Sequence, residues 1–576
     1  PVSEPVSTPV SEPVSTPVSE AVEYSPWSYS KWDTVFDDAA EAFPFSKPRE
    51  YQLETISEIQ AAIDNGYKYI ILEAGTGTGK SAIAATVARM HENSFILTVT
   101  KQLQEQYLKD FKEFNFKCVK GRQNFNCLVE SDFNCDEGSC LEKDFNCSYG
   151  ISKSAKKGVA EAFDGLYWKS NTHCNYYQQK IDALNCQNVV TNYYYALLEL
   201  NKVGDFKKRD ILILDEAHNL ESILMSYLTL EFSRKGLKNH AQINLSKQLV
   251  NQLKDKGYKE WINFALRVLD KYKSKRDKLL RTIKNSGKNK KKDLQLVVNS
   301  LDKIIHEIEF FITQINKHPN EWIIDYNSYS ATISFKPIKV DNYAKELLFE
   351  YGDVCLFMSA TILNYKKFAQ WLGINEDEVY PIRRKTPFDI SMHPIYIDKS
   401  VDMSFTKLKY NAPRSIPFIK EFLNKHENEK GLVHSVSYKC ADFIMKKSNN
   451  SRLLTHNSKN REEVLEKFRK SENSNVLVSP SMNEGVDLPY DDCRFQIIYK
   501  IPYPNISDAQ IKARKNIDDY WYLYKTALTL LQTYGRGMRA EDDYCTTYII
   551  DNRVKRFVSQ NKKNGLIPDY FIEAIK

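Results

Sequence analysis

Long apolar runs are missing from this 576-residue sequence, and none approaches the ~20 residues that a membrane-spanning helix requires. No secretory signal peptide is recognisable either. The protein is therefore expected to be intracellular and outside membranes, in a cytoplasm or nucleoid or in the cytoplasm of an infected host cell. A large excess of one charge is also lacking, because 81 Lys and Arg face 74 Asp and Glu, for a formal net charge of +7. That bias is too weak to identify a polyanionic partner by itself.

Hydrophobic residues make up 42% of the chain, which is enough for several packed domains. The N-terminal segment differs, because residues 1–20 repeat Pro-Val-Ser-Glu-Pro-Val-Ser-Thr and contain no aromatic side chain. Proline at every fourth position prevents both helix and sheet pairing. Residues 1–25 are predicted to be a disordered tail or linker that favours polyproline II, with a docking segment as the alternative.

A glycine-rich loop lies between a predicted strand, Tyr69-Ile70-Ile71-Leu72, and a helical segment that starts at Ala82. The loop consists of Ala74, Gly75, Thr76, Gly77, Thr78, Gly79, Lys80 and Ser81. Strand, loop, Gly-Lys-Ser and helix in this order are typical of a nucleoside triphosphate site. Lys80 is expected to reach the β- and γ-phosphates and Ser81 to ligate Mg²⁺. Ala74 departs from the strict pattern, and a glycine-rich hairpin before a helix is the structural alternative.

A second motif follows the apolar run 211–214, which predicts a central parallel strand ending at Asp215 and Glu216. Ligands of open α/β sheets bind at the carboxyl ends of such strands. Asp215 is expected to hold Mg²⁺ through water, and Glu216 to polarise the attacking water. His218 is a candidate for coupling the nucleotide state to the rest of the protein.

Three further motifs come later in the chain. They are Phe-Met-Ser-Ala-Thr at 357–361, Glu-Gly-Val-Asp-Leu at 484–488 and Gln-Thr-Tyr-Gly-Arg-Gly-Met-Arg at 532–539. The first two follow predicted strands at 354–357 and 476–478. Arg536 and Arg539 are three residues apart, so on a helix they would share one face. Two guanidinium groups on one face could clamp a γ-phosphate; an exposed basic turn is the alternative.

Together these ordered motifs resemble those of superfamily 2 helicases, over residues 43–556. Arg49 and Gln52 match the segment that such enzymes place against adenine, and Thr98-Val99-Thr100-Lys101-Gln102-Leu103 matches the motif that touches the nucleic-acid backbone. Asp551-Asn552-Arg553 matches an Asp-x-Arg that follows the last motif in one subgroup.

The resemblance implies two RecA-like lobes with ATP in the cleft between them. The first lobe would supply the catalytic Lys80, Asp215 and Glu216 with Ser81, and the second lobe Arg536 and Arg539. Asp487 and Gln532 would be further contacts to the nucleotide.

Seven of the 11 cysteines fall between residues 118 and 186. They are Cys118, Cys127, Cys135, Cys140, Cys147, Cys174 and Cys186. Without a secretory context, a metal centre is favoured over disulfides. The segment 120–127, which ends in Gly-Arg-Gln-Asn-Phe-Asn-Cys, resembles the sequence that introduces the first ligand in XPD/DinG-type iron–sulfur helicases, and Cys174-Asn-Tyr-Tyr resembles their last ligand.

This resemblance implies a [4Fe–4S] cluster on four thiolates. Cys127 and Cys174 would be two of the ligands, and two of Cys135, Cys140 and Cys147 would complete the set. Spacing does not decide between these three, and zinc on four cysteines is the chemical alternative. Cys118 and Cys186 are expected to be ordinary small residues.

Residues 222–345 contain no catalytic motif. Apolar residues recur at spacings of three and four from Leu294 to Ile315 and predict a long amphipathic helix. Basic runs at 271–276 and 288–292 are expected to be a solvated surface, with nucleic-acid backbone contact as the second interpretation. The segment 329–340 is predicted to be a returning strand or hairpin.

The predicted fold is α/β, with two RecA-like parallel-sheet lobes and with an iron–sulfur insertion and a mainly helical arch insertion in the first lobe. The predicted division is a tail at 1–25, lobe 1 at 26–115, 186–221 and 346–375, the iron–sulfur domain at 116–185, the arch-like insertion at 222–345 and lobe 2 at 376–576.

The implied function is that of an ATP-dependent DNA helicase, a monomer that moves 5′→3′ on single-stranded DNA and acts on forked duplex DNA. ATP, Mg²⁺ and [4Fe–4S] are the expected cofactors. The alternatives are an RNA helicase and a nucleotide-gated nucleic-acid clamp that does not unwind. Stimulation of ATPase activity by DNA or by RNA would separate them.

Overall fold

The computed structural model describes residues 37–138, 140, 146–285, 288–482, 488–538 and 542–576. Three predicted features lie outside the described residues. They are the tail at 1–25, the part of the Glu-Gly-Val-Asp-Leu motif from 484 to Asp487, and Arg539. Among the residues that are described, no helix is both long and apolar enough to cross a lipid bilayer.

Strands and helices alternate along both lobes. The strands, in chain order, are β1 (Tyr69–Ala74), β2 (Ser94–Thr98), β3 (Lys117–Cys118), β4 (Ile151–Ser152), β5 (Ala160–Phe163), β6 (Leu166–Trp168), β7 (Asn188–Asn192), β8 (Arg209–Asp215), β9 (Leu230–Ser233), β10 (Trp322–Asn327), β11 (Thr332–Pro337), β12 (Gly352–Ser359), β13 (Val379–Arg384), β14 (Ile395–Tyr396), β15 (Gly431–His434), β16 (Leu453–Thr455), β17 (Val476–Ser479), β18 (Phe495–Ile498) and β19 (Thr546–Ile549).

The helices, in chain order, are α1 (Asp37–Ala42), α2 (Gln52–Asp64), α3 (Lys80–Arg89), α4 (Lys101–Asp110), α5 (Asn175–Leu184), α6 (Tyr193–Leu198), α7 (Leu220–Leu228), α8 (Arg234–Gly236), α9 (Lys247–Lys256), α10 (Tyr258–Lys284), α11 (Lys288–Lys317), α12 (Ala344–Leu347), α13 (Tyr365–Trp371), α14 (Leu408–Lys425), α15 (Tyr438–Ser448), α16 (Arg461–Lys470), α17 (Ala509–Ile517), α18 (Asp519–Tyr534), α19 (Arg553–Lys562) and α20 (Asp569–Glu573).

Lobe 1 is built on a parallel sheet with strand order β13-β1-β12-β8-β2-β7-β3. Strands β1 and β8, which precede the two predicted nucleotide motifs, are almost fully buried because helices cover both faces of the sheet. Their near-continuous Ile and Leu content is the sequence signature of such strands. The predicted central strand at 211–214 is confirmed as the middle of the sheet.

Lobe 2 is a second parallel sheet, with strand order β14-β19-β18-β15-β17-β16. The two sheets confirm the predicted α/β class with two RecA-like lobes. The predicted boundary at residue 376 is wrong, because β13 pairs along its full length with β1 in the sheet of lobe 1. Lobe 1 therefore extends to Arg384, and a linker leads to β14.

Two insertions interrupt lobe 1. The cysteine-rich segment contains a small antiparallel sheet of β4, β6 and β5. The later insertion contains the long helices α10 and α11, and α11 buries Leu301, Ile305 and Ile308 along the predicted apolar stripe. It also contains an antiparallel sheet of β9, β11 and β10. Strand β11 lies within the predicted segment 329–340, whereas its hairpin partner β10 precedes that segment.

Candidate functional site

The glycine-rich loop connects the end of β1 to the start of α3. Gly77 and Gly79 have φ values of +88° and +72°, a left-handed conformation that other residues rarely adopt. The ammonium group of Lys80 lies over the loop, 3.0 Å from the carbonyl oxygen of Ala74 and 3.5 Å from that of Gly75. The loop therefore has the backbone shape needed to surround phosphate oxygens at a helix N-terminus.

Arg49 and Gln52 support the loop from outside. Gln52 Nε2 donates to the carbonyl oxygens of Thr78 and Gly79 at 3.0 and 3.3 Å. Arg49 Nη1 donates to the carbonyl oxygen of Gly77 at 2.5 Å. These two residues, predicted to contact adenine, thus also fix the conformation of the phosphate loop.

Asp215 and Glu216 lie at the carboxyl end of β8. Two buried tyrosines hold Asp215: Tyr107 Oη is 3.2 Å from its carboxylate, and Tyr193 donates to its backbone oxygen at 2.8 Å. Burial, and then the neighbouring Glu216, raises the pKa of Asp215 to about 7, whereas the charge of Lys80 opposes the rise. A bound divalent cation would favour the ionised carboxylate in the same way as Lys80.

His218 joins this motif to the next one along the sheet. Its Nδ1 atom lies 2.8 Å from Ser359 Oγ, at the end of β12. Ser359 Oγ in turn accepts a hydrogen bond from the backbone N–H of Thr361 at 3.1 Å. The contact directly connects the Asp-Glu-Ala-His motif to the Ser-Ala-Thr motif. Both motifs were identified in the sequence, but the contact between His218 and Ser359 was not predicted.

The arginine motif of lobe 2 differs from its prediction. Helix α18 ends at Tyr534, and Arg536 lies in the 3₁₀ turn Gly535–Gly537, after which Met538 is extended. Arg536 therefore lies beyond the α-helix on which the two arginines would share a face, and Arg539 is outside the described residues. Gln532, in the last helical turn, is buried, and its Oε1 atom has no hydrogen-bond partner within the described residues.

The linker between the lobes contacts both halves of the site. Thr386 Oγ1 donates to the carbonyl oxygen of Thr76 at 3.0 Å, and a Cβ atom at Gly77 would lie only 2.4 Å from the ring of Phe388. On the other side, Tyr534 Oη donates to the carbonyl oxygen of His393 at 2.8 Å. One short linker therefore spans from the phosphate loop to the end of the helix that precedes Arg536.

Thr386 and Phe388 were not predicted as site residues. They follow no motif, and only the pairing of β13 with β1 places the linker beside the loop. Tyr107 and Tyr193 were not predicted either, because a buried aromatic residue in a helix has no distinguishing sequence signal.

Five cysteines lie in the first insertion. Cys127, Cys135 and Cys174 are buried, whereas Cys140 and Cys147 are partly exposed. The Sγ atoms of Cys135 and Cys174 are 3.9 Å apart. Burial, and then the adjacent Cys174, raises the pKa of Cys135 to about 12, and the charges of Cys127 and Cys140 contribute. Across the described ranges, no three or more His, Cys, Asp or Glu side chains form a group that could hold a metal ion.

Arg122 is a cation beside these thiols. Its guanidinium group lies 3.7 Å from Cys140 Sγ and 3.0 Å from the hydroxyl of Tyr177, and it stacks on the ring of Tyr176 at 4.5 Å. Cys118 and Cys186 lie elsewhere: Cys118 is on β3 in the sheet of lobe 1, and the thiol of Cys186 donates to the carbonyl oxygen of Asn115 at 3.0 Å.

A groove of about 450 Å³ separates α4 from the cysteine-rich insertion. Its lining includes Lys101 and Glu105 of α4, Lys120, Asn124 and Phe125. Lys101 donates to the amide oxygen of Asn124, so the predicted backbone-contacting motif and the insertion share one surface.

Two protein families match the chain, the helicase C-terminal domain over residues 419–567 and the res subunit of type III restriction enzymes over residues 45–246. A probable ATP-dependent helicase of Methanocaldococcus jannaschii is 25% identical, over 92% of this chain and 96% of that protein. The ATP-dependent DNA helicase YoaA of Escherichia coli is 23% identical, over 89% and 93%. A solved XPD helicase structure superposes with a TM-score of 0.61 at 17% identity, covering 91% of this chain and 98% of that one.

The two lobes, the ordered motifs and these matches define an ATP-hydrolysing helicase of superfamily 2. Its homologues are helicases of the Rad3/XPD/YoaA type, as the sequence resemblance predicted. The chain is accordingly an ATP-dependent helicase that is similar over about nine-tenths of its length to helicases of the XPD/Rad3 type.

Proposed function

We propose that this helicase acts on DNA, moving 5′→3′ along a single strand and parting the duplex at an iron–sulfur insertion. The observation that carries the proposal is the shared surface of α4 and the cysteine-rich insertion, which faces a groove with Lys101, Lys120 and Phe125 in its lining. Lysine contacts to phosphate and aromatic stacking on bases are the usual means of binding a single strand without sequence preference. The relative YoaA is itself named a DNA helicase.

In the ATP site, Lys80 would contact the β- and γ-phosphates, and Ser81 and Asp215 would hold Mg²⁺. Glu216 would polarise the attacking water. Arg536, with Arg539, would approach the γ-phosphate from lobe 2 and stabilise the charge of the transition state. Gln532 and Asp487 are proposed as further contacts from lobe 2, and Arg49 and Gln52 as the adenine side of the site.

The chemistry of the insertion fits a thiolate-held centre. A buried thiol with a raised pKa, such as Cys135, is costly to ionise, and a metal centre removes this cost because coordinated thiols are deprotonated outright. The Arg122 guanidinium also favours a thiolate at Cys140. A tetrahedral zinc site with ~2.3 Å metal–sulfur bonds has sulfur–sulfur edges of ~3.8 Å, close to the 3.9 Å between Cys135 and Cys174. A four-iron cluster, in which each thiolate binds a different iron, requires the sulfurs to be farther apart.

This one distance favours zinc, but we favour [4Fe–4S] because the sequences around Cys127 and Cys174 resemble those of the iron–sulfur helicases rather than a zinc site. When bound, the cluster would cross-link an insertion whose own apolar core consists of a few residues around Cys135 and Tyr176. The insertion could then serve as a rigid wedge at the point where the strands part.

Strand-displacement assays on tailed duplexes test the proposal. A duplex with a 5′ single-stranded DNA tail should be unwound in the presence of ATP and Mg²⁺, and a duplex with only a 3′ tail should not. A matched pair of RNA-tailed duplexes serves as the control for substrate class. Unwinding from the 3′ tail would refute the proposed polarity, and unwinding of the RNA substrates alone would refute DNA as the substrate.

Replacing Cys127 with serine is expected to remove the visible iron–sulfur absorbance of the purified protein and to reduce unwinding more than ATP hydrolysis. The reason is that loss of one thiolate releases the cluster, which is outside the ATP cleft. The matched control is Cys186→Ser. This buried cysteine donates a hydrogen bond to the carbonyl oxygen of Asn115 and is not among the five candidate ligands. An unchanged visible spectrum in Cys127→Ser, with zinc found by metal analysis, would favour the zinc alternative.

Serine variants of Cys135, Cys140 and Cys147 decide which two complete the ligand set. We expect two of the three to lose iron and acid-labile sulfide, and the third to retain both. Retention of full iron content by all three variants would contradict a cluster at this position.

A further inference from the structure

A buried carboxylate of lobe 1 receives three donors from lobe 2. Glu221 lies in the first turn of α7, the helix that follows the Asp-Glu-Ala-His motif. Its two carboxylate oxygens accept hydrogen bonds from Trp521 Nε1 at 3.0 and 2.8 Å. Arg514 Nη2 lies 3.4 Å from Oε1, and Lys525 Nζ lies 3.1 Å from Oε2. The three donors come from α17 and α18, so this contact joins the lobes.

The start of α18 has further anchors in lobe 1. Asp518, the N-cap of α18, accepts a hydrogen bond from Trp371 Nε1 at 2.8 Å. Asn364 Nδ2 donates to the hydroxyl of Tyr520 at 3.0 Å. The Trp371 ring also packs edge-on against Tyr524, with ring centroids 4.7 Å apart. The first turns of this lobe 2 helix are therefore built into a core that both lobes share.

The other end of α18 leads to the arginine motif. The helix spans 16 residues, or ~24 Å at 1.5 Å per residue, from Asp519 to Tyr534. Gln532 is in its last turn, and Arg536 follows two residues after its end. A rigid helix that is fixed at one end converts a small tilt at Trp521 into a displacement of Arg536.

Separating the lobes at this contact would break the hydrogen bonds of Glu221 and expose the buried rings of Trp521 and Trp371 to water, which is unfavourable. The contact is thus expected to persist while the cleft opens and closes around it. Glu221 lies only five residues after Glu216. The same short segment of lobe 1 therefore carries both the carboxylate proposed to polarise water and the contact with lobe 2.

We propose that the first turn of α18 is a fixed joint between the lobes, and that Glu221 is a positioning residue that sets the approach of Arg536 to the phosphate loop. The inference rests on the proposed role of Arg536 in ATP turnover. Glu221 acts through the helix and does not touch the nucleotide.

The test is ATP turnover by Glu221→Gln, which keeps the shape of the side chain and removes its charge. We expect kcat to fall by about 10- to 100-fold, the range that a small misplacement of a reacting group can cause, with KM for ATP changed by less than about 2-fold. If Glu221 acts through Arg536, the double variant Glu221→Gln/Arg536→Ala should be no slower than Arg536→Ala alone. Additive losses would overturn the proposal.

Trp521→Phe is the second variant and decides the question if Glu221→Gln does not fold. It removes the two indole hydrogen bonds and keeps both cations beside the carboxylate, and we expect the same loss of kcat and the same non-additivity with Arg536→Ala. Trp261→Phe is the control, because this buried indole donates to Leu253 in the arch insertion, and turnover should stay at the wild-type rate. A lower melting temperature with unchanged kcat in Trp521→Phe would overturn the proposal, whereas no turnover in the wild-type protein would instead refute the proposed function beneath it.

Discussion

Lys80→Ala should lose ATP hydrolysis almost completely while the protein stays folded. The ammonium group is the only side-chain charge that the loop is proposed to bring to the β- and γ-phosphates, and it faces the developing negative charge of the transition state. Removing one such stabilising group from an active site typically costs about 10²–10³-fold in kcat. Steady-state phosphate release with Mg²⁺-ATP measures the loss, and a thermal melt confirms that the fold is kept.

The control for this variant is Lys109→Ala. Lys109 is an exposed lysine in the last turn of α4, so its removal changes the net charge equally and leaves the loop intact. Normal turnover in Lys80→Ala would show that the glycine-rich loop is not the phosphate site.

Arg536→Ala is expected to slow turnover by about 10³–10⁵-fold, the range seen for arginines that stabilise the transferring phosphoryl group. Binding of ATP should change little, because the guanidinium is proposed to act in the transition state rather than in the ground state. Single-turnover hydrolysis and equilibrium binding of a fluorescent ATP analogue separate the two effects.

Arg556→Ala is the matched control, since Arg556 is an exposed arginine of α19 in the same lobe. It should hydrolyse ATP at the wild-type rate in the absence of nucleic acid. An equal loss of binding and turnover in Arg536→Ala would contradict the transition-state role.

The two sheets and the order of the lobe 1 motifs could be predicted from the sequence. Buried parallel strands such as β1 and β8 are continuous apolar runs, and the residues that follow them lie at one edge of the sheet by geometry alone. The apolar stripe of α11 was predictable for a similar reason, because its period is a property of the helix itself.

Contacts between segments distant in sequence could not be predicted in this way. Phe388 meets Gly77 only because β13 returns to the edge of the first sheet, and the predicted boundary at residue 376 did not allow for that strand. In the sequence, Glu221 has no feature that separates it from other helical glutamates. Its role depends on α17 and α18, which place Arg514, Trp521 and Lys525 beside it. The end of α18 could not be read from the sequence, because Gly535 and Gly537 weaken a helix without fixing where it stops.

The cysteine ligands could be predicted from the sequence only in part. Cys127 and Cys174 were identified by their flanking sequences, and the fold places the Sγ atoms of Cys135 and Cys174 3.9 Å apart. The number of thiols exceeds the four that a cluster needs, so neither spacing nor proximity selects the two that complete the ligand set with Cys127 and Cys174.

The most direct test of DNA-driven ATP hydrolysis is the ATPase rate of the full chain with Mg²⁺, measured alone, with single-stranded DNA and with single-stranded RNA of the same sequence. We predict strong stimulation by DNA and a much weaker effect of RNA, with Lys80→Ala inactive in all three conditions. Strong stimulation by RNA with none by DNA would contradict the account.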